Sequence, residues 1–367
     1  MLHWGIIGTG VVAFELAYAI QSVKGNKIVA VSSRSKAKAH FFATHLKIAN
    51  VYDSYNDLIK NQDIDIVYIA LPNSFHAEII KLCLENGKHV LCEKPFTINA
   101  EEAKEIRALS KEKNLFCMEA YWTRFIPSVQ KLLSLIKEDH IGNIKMICGS
   151  FGNISHQQRS FDLAAGGGVL LDLCIYPIAL TYAILGKPDE VTGSLTLGSS
   201  GVDVQASVGL KYKNGALASL TSSYSANLNN EFVVYGEKGS IKLCAPFYRS
   251  STLEITYFAT PGAPEPNTGL SARRNYFNLP SALKFAPFLV EQIRRILPAK
   301  SKRMIIPFKG NGYQYQIIEV NDCLDANKTE SDLHSLNTTI EVMEILDAVR
   351  KQADFKYPKE ELVQIRE

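Results

Sequence analysis

The rhythm of hydrophobic and polar positions changes once along this chain, at about Tyr121. Before it, apolar runs at Trp4–Gly8, Lys27–Val31, Ile64–Leu71, His89–Cys92 and Leu115–Met118 alternate with helical patterns at Phe14–Val23, Lys36–Leu46, Phe75–Asn86 and Ala100–Glu112. Short buried-type strands separated by helices of this length predict βαβ units, hence a parallel doubly wound sheet covered on both faces. After Tyr121, two helices and a glycine-rich turn lead into a series of strands from Glu190 to Tyr257. Asn214-Gly215 separates Gly209–Lys213 from Ala216–Ser222, and Glu237-Lys238-Gly239 separates Phe232–Tyr235 from Ser240–Cys244, which are hairpin signals. The second half is thus expected to be an α+β domain with a large, mostly antiparallel, open-faced sheet. A loop is expected at Thr260–Asn278, a basic amphipathic stretch at Ser281–Leu297, and helices at Gly312–Asn327 and Leu336–Gln352. The expected domains are residues 1–120 and 121–367, which suits a length of 367 residues when one domain takes roughly 100–200.

Composition narrows the class. A hydrophobic fraction of 46% and a charged fraction of 21% are globular values and exclude disorder as the organising principle. Forty Lys and Arg against 37 Asp and Glu give a net charge of +3, too weak for a nucleic-acid protein without a local basic stripe. Small-molecule chemistry becomes the better expectation. Seven cysteines, an odd number without a CxxC pair, lie mostly in apolar runs and read as reduced core thiols of a cytoplasmic protein. The first residues carry no secretory signal pattern, and the longest apolar stretch, Val169 to Leu185, contains Asp172 and Pro177 and falls short of the ~20 residues of a membrane span.

The first chemical signal is Gly8-Thr9-Gly10-Val11-Val12-Ala13, a GxGxxA pattern directly after an apolar strand and at the opening of an amphipathic helix. In that context glycines let the backbone approach a pyrophosphate, which the helix N-terminus holds. The fold expected for residues 1–120 is therefore a Rossmann dinucleotide-binding domain. The second strand runs into Ser32-Ser33-Arg34-Ser35-Lys36-Ala37-Lys38, and no acidic residue occurs between Glu15 and Asp53. An NAD site places Asp or Glu there for the ribose 2′-hydroxyl, whereas Arg34 offers a fork for a 2′-phosphate, with Lys38 one helical turn on. NADP is favoured over NAD; the alternative is a solvated basic helix start.

A second constellation concerns proton transfer. Glu93-Lys94-Pro95 follows the strand at His89–Cys92, at the edge where doubly wound folds bind ligands. Gly166-Gly167-Gly168 opens a helix with Asp172 and Tyr176 at i,i+4 spacing on one face, and Pro177 suggests a kink. A nearby ammonium would favour the phenolate of Tyr176, while burial of Lys94 would lower its own pKa and make the lysine a base instead. Spacing alone leaves both open, beside the alternative of core-lining polar residues.

These landmarks, with Gly5-Ile6-Ile7-Gly8-Thr9-Gly10, Leu71-Pro72-Asn73-Ser74-Phe75-His76, Glu119-Ala120-Tyr121-Trp122-Thr123-Arg124-Phe125 and Gly310-Asn311-Gly312-Tyr313-Gln314-Tyr315, resemble the glucose-fructose oxidoreductase and inositol dehydrogenase family, Gfo/Idh/MocA. Many members carry histidine where this chain has Tyr176, and the change resembles the dihydrodiol dehydrogenase and NADP-dependent D-xylose dehydrogenase branch. The resemblance implies Lys94 and Tyr176 as the catalytic pair with Asp172 orienting them. It implies Gly8, Thr9, Gly10, Val11, Val12, Ser33, Arg34, Lys38, Leu71, Pro72, Asn73, His76, Glu93, Lys94, Trp122 and Arg124 as cofactor-binding residues. Trp122, Phe151 and Tyr176 would line the substrate pocket, and Arg124, His156 and Arg159 could bind hydroxyls or an anion. The expected activity is hydride transfer between NADP and a secondary alcohol of a sugar, cyclic polyol or trans-dihydrodiol, with no metal, no nucleic acid and a homodimer formed through the C-terminal sheet. The rival from another class is a catalytically silent, nucleotide-sensing regulatory or scaffold protein of the same fold. The stretch from Pro261 to Arg303 is longer than the family's usual connection and could be a lid, a partner helix, a membrane-surface helix or a plain surface helix packed on the sheet.

Overall fold

The computed structural model describes residues 1–155, 157–258 and 301–360. The loop and basic stretch expected between 260 and 297, and His156, lie outside the described residues. The first part places six strands, β1 (Leu2–Ile7), β2 (Asn26–Ser32), β3 (Asn50–Tyr52), β4 (Ile66–Ile69), β5 (His89–Glu93) and β6 (Cys117–Ala120), in one parallel sheet of order β3-β2-β1-β4-β5-β6. Five helices accompany them: α1 (Val11–Ser22), α2 (Lys36–Leu46), α3 (Tyr55–Ile59), α4 (His76–Glu85) and α5 (Ala100–Lys113). Alternation along the strands feeds two cores. Trp4, Ile6, Ile66, Tyr68 and Leu91 pack with α1 and α2 on one face, while Ile7, Val67, Ile69, Val90 and Cys92 pack with α3, α4 and α5 on the other. The strand order reverses between β1 and β4, the sheet's switch point, so the carboxyl ends of these two strands open a crevice.

The second part contains α6 (Pro127–Lys137), β7 (Ile144–Gly152), α7 (Ile175–Leu185), β8 (Glu190–Leu197), β9 (Asp203–Lys211), β10 (Leu217–Ser223), β11 (Phe232–Gly236), β12 (Gly239–Leu243), β13 (Thr252–Tyr257) and β14 (Ser301–Ile305), then α8 (Gln314–Asp325) and α9 (Leu336–Gln352). The eight strands order as β14-β13-β12-β11-β7-β10-β9-β8, with every pairing antiparallel except β7 with β10. Both expected hairpins form. Gly215 adopts φ +82° and Asn214 Oδ1 accepts the Ala216 N–H at 3.0 Å. One face of the sheet buries Ile147, Leu220, Val208, Val234 and Ile241 against α6, α7 and the crevice; the other leaves Leu217 and Tyr235 exposed in one row with half-buried Met146. The two C-terminal helices return to the first part, α8 onto α1 and α9 onto α5.

Candidate active site

The β1–α1 turn is built to hold something close. Gly8 has φ +112°, and a Cβ there would lie 2.2 Å from the Ala70 carbonyl oxygen, so only glycine permits β1 and β4 to sit this near. A Cβ on Gly10 would meet nothing within 4 Å. The first turn of α1 carries no acidic residue and no side-chain cap, so its N–H groups are left for an anion. Val12 lines the cleft, whereas Val11 points to solvent, 75% exposed. Thr9 Oγ1 and Ser33 Oγ lie 3.2 Å apart and tie this turn to the end of β2. Beyond them the Arg34 guanidinium lies 5.6 Å over the Phe75 ring and beside the Tyr55 hydroxyl, and exposed Lys38 stands in the first turn of α2, also free of acidic residues. These residues fit a dinucleotide, and the basic end fits a phosphate better than a bare hydroxyl.

Across the crevice, Leu71, Pro72 and Asn73 line the wall, and Asn73 Nδ2 donates to the Gly166 carbonyl at 2.7 Å, joining the two parts of the chain. The glycine run leads into a π-helical turn, Leu170–Cys174, before α7 begins at Ile175. The wider turn places Pro177 in the first turn of a new helix, where it is tolerated, in place of the kink expected inside a continuous one. It also brings Asp172 and Tyr176 to the same cleft.

There Lys94 Nζ donates to Asp172 Oδ1 and to the Asp172 carbonyl, both at 2.7 Å, and stands 4.7 Å from the centroid of the Tyr176 ring. Burial penalises the Lys94 cation more than any one neighbour favours it, yet Asp172, Tyr176 and Glu93 together outweigh burial and hold its pKa above the usual ammonium value. The lysine is therefore a fixed cation and a poor base. Burial raises the Tyr176 phenol and Lys94 opposes that rise; Trp122 Nε1, donating to its hydroxyl at 3.3 Å, opposes it too. Asp172 Oδ2 accepts from Tyr224 at 2.7 Å. Glu93, buried beside Lys94, accepts from Tyr68 at 2.5 Å, and burial pushes its carboxyl up to about 7.

Other expected residues stand farther off. His76 is fully buried, its two ring nitrogens 2.8 Å and 2.9 Å from the Pro95 and Leu71 carbonyls, and it is not among the residues lining the cleft. It braces the two loops that carry the cleft wall. Arg124 also does not line the cleft; its guanidinium faces Tyr121 and Glu319, and burial lowers its pKa. Phe151 stacks on Tyr248 with centroids 4.5 Å apart and meets Tyr176 edge-on at 5.5 Å. Arg159 lines the cleft and favours ionisation of both Glu93 and Asp172. Sequence reasoning missed Tyr224, Tyr68, Tyr248 and the role of Tyr313, which lines the cleft and stacks 4.6 Å over Trp122. For Tyr313 a signal existed, since Gly312 at φ +97° brings the loop so close that a Cβ would lie 2.9 Å from the Trp122 ring.

A dinucleotide cradle opposite a lysine, a carboxylate and a buried phenol, between a parallel sheet and a large mixed sheet, defines a two-domain oxidoreductase of the nicotinamide-nucleotide class. Comparison with known proteins places it more closely. Residues 2–121 match the model of the GFO/IDH/MocA oxidoreductase family, NAD-binding Rossmann fold, and residues 129–242 match the GFO/IDH/MocA C-terminal domain. The trans-1,2-dihydrobenzene-1,2-diol dehydrogenase of Bos taurus is 31% identical over 364 residues, spanning 98% of this chain and 99% of the relative; the Homo sapiens protein of that name is 29% identical over the same shares. In fold the chain is similar to KijD10, a 3-ketoreductase from Actinomadura kijaniata in complex with NADP and TDP-benzene (TM-score 0.79, 22% identity, 96% of this chain and 98% of that one). It is similar also to the aldose-aldose oxidoreductase from Caulobacter crescentus complexed with glycerol (TM-score 0.76, 20% identity, 96% and 97%). The chain belongs to the GFO/IDH/MocA family and is a dehydrogenase or reductase acting on hydroxyl groups. No described helix is long and apolar enough to cross a membrane.

Proposed function

We propose that this protein is an NADP-dependent dehydrogenase that moves a hydride between the nicotinamide and a secondary alcohol or ketone of a sugar, cyclic polyol or trans-dihydrodiol. The observation that carries the reading is the Lys94 ammonium, clamped 2.7 Å from Asp172 and 4.7 Å from the Tyr176 ring, in the cleft that begins at Gly10. NADP, when bound, supplies the hydride acceptor. Gly8, Gly10 and Val12 cradle its pyrophosphate end, and Arg34 and Lys38 hold its 2′-phosphate. Tyr176 takes the hydroxyl proton as general base, or returns it in reduction. Lys94, permanently charged, lowers the phenol's pKa and holds the reacting oxygen, while Asp172, fixed by Tyr224, keeps the ammonium in place. The name of the curated relatives, trans-1,2-dihydrobenzene-1,2-diol dehydrogenase, supports the dihydrodiol among these substrates. A silent nucleotide sensor would have no use for a cation clamped between a carboxylate and a phenol. Incubation with NADP or NAD and a panel of trans-dihydrodiols, aldoses and inositols, read as reduced-cofactor absorbance, tests the reading. Absence of turnover across all three classes would overturn it.

A further inference from the structure

Beneath the glycine run, outside the cleft, lies Asp203, the first residue of β9 and fully buried. Its Oδ2 accepts the backbone N–H of Leu170 at 2.6 Å, where the π turn carrying Asp172 begins. Its Oδ1 makes no hydrogen bond of full geometry among the described residues, although the backbone N–H groups of Val169 and of Asp203 itself also favour the ionised carboxyl. That oxygen presses on Gly168: a Cβ at Gly168, whose φ is +126°, would lie 2.0 Å from it. Gly168 in turn offers its carbonyl to the Asp172 N–H at 3.2 Å and to the Tyr224 hydroxyl at 3.3 Å, and that same hydroxyl reaches Asp172 Oδ2. A buried carboxylate with one oxygen short of a full hydrogen bond is costly to keep, so a role beyond filling space is called for.

We propose that Asp203 is a positioning residue for the reaction: it anchors the start of the π turn and thereby sets the height at which Asp172 meets Lys94 and Tyr176 faces the substrate. The inference rests on the assignment of Lys94, Asp172 and Tyr176 above. The anchor is titratable, since burial pushes the Asp203 carboxyl up to about 6 despite the Leu170 N–H and the Arg350 cation. The other ionisable groups that feel it are Tyr357, Tyr224 and Cys174, all held neutral at working pH because burial raises their pKa values. Protonation of Asp203 leaves a neutral acceptor at a helix start, where negative charge is favoured, and loosens the turn.

The test compares Asp203→Ala and Asp203→Asn with the unmutated enzyme, using the best substrate of the panel. Asp203→Ala should lower kcat by about 10- to 100-fold through misplacement of the reacting groups. Its KM for substrate and its NADPH affinity, followed by cofactor fluorescence, should stay within about twofold, because neither ligand touches Asp203. Amide hydrogen exchange in a peptide covering Gly166 to Tyr176 should rise. Asp203→Asn, which stands in for the protonated carboxyl, should hold kcat at every pH near the level to which the unmutated enzyme is expected to fall below pH 6, above that of Asp203→Ala, and should show no inflection near 6. Should Asp203→Ala leave both kcat and exchange unchanged, or Asp203→Asn keep that inflection, the proposal is overturned. Lys94→Met and Tyr176→Phe variants with unchanged turnover would instead overturn the assignment of the site, a different result.

Discussion

Replacing Tyr176 by Phe removes one oxygen from the centre of the cleft and little else. The ring stays where it packs edge-on against Phe151 and 4.7 Å from Lys94 Nζ, so the cation keeps its aromatic face. Lost is the acceptor for Trp122 Nε1, at 3.3 Å a weak hydrogen bond, so the stability cost should sit at the low end of the ~1–3 kcal/mol of an orphaned buried donor. The effect on turnover is larger. Burial raises this phenol's pKa, and the Lys94 cation 4.7 Å from the ring favours the phenolate against it, while Glu93 and Asp172 cancel part of that help. A phenol tuned this way contributes the ~10²–10⁴-fold of a general acid/base, equivalent to ~3–5 kcal/mol of barrier. Steady-state kinetics should therefore show kcat lowered by that factor, with NADPH affinity nearly unchanged. Lys94→Met should be equally damaging and the double variant little worse, since the pair acts as a unit. Near-normal turnover in Tyr176→Phe beside a dead Lys94→Met would make the lysine the base, against the raised pKa that its neighbours impose on it.

Arg34→Asp should weaken NADP binding by ~1.5–3 kcal/mol, about 10- to 150-fold, and NAD binding far less; equal affinities for the two cofactors in the unmutated protein would contradict the 2′-phosphate assignment. Glu93 and Asp203, both raised by burial, hold protons in the folded state that the unfolded chain has released, so stability is greatest below about pH 4 for these two groups and is lost as pH rises through about 6 and about 7. Glu93→Gln should remove the upper part of that loss, on the order of 3 kcal/mol, and flatten the melting temperature of the cofactor-free protein between pH 5 and 8; an unchanged slope would show that Glu93 is not the group responsible. A homodimer is expected through the row Leu217, Met146 and Tyr235 on the open sheet face, where apolar groups stand in solvent, and sedimentation at micromolar concentration giving only the 40.7 kDa species would refute it.

Where local pattern and tertiary need coincide, the chain announces its own structure. Lys36–Leu46 and Leu336–Gln352 form helices over the spans their periodicity predicts, because apolar faces repeat at helical spacing and serine caps start both. The strand β3 escapes, since three residues paired only with β2 are too few to show alternation. So does the placement of β7 at the centre of the second sheet, parallel to β10: a strand's neighbours depend on the path of the chain, which alternation does not record. The β1–α1 turn was legible because a glycine with positive φ beside a strand leaves a spacing behind.

The cluster of Lys94, Asp172 and Tyr176 was legible only in part, for a physical reason. Lys94 and Asp172 lie 78 positions apart, and the contact between them depends on a cleft that neither local segment forms alone. Spacing could offer Lys94 as a base or as a cation; the geometry favours the cation, because Asp172, Tyr176 and Glu93 together outweigh the burial that would neutralise the amine. Tyr224 and Tyr68 fix the two carboxylates flanking that lysine, yet each sits in an ordinary strand or just beyond one, where a tyrosine is a common packing residue. Their function lies in where the hydroxyl ends, a property of the folded chain. His76 is the converse: adjacent to a cleft-lining run in sequence, it turns inward because two buried carbonyls, of Leu71 and Pro95, need a donor between them more than the cleft needs another polar wall.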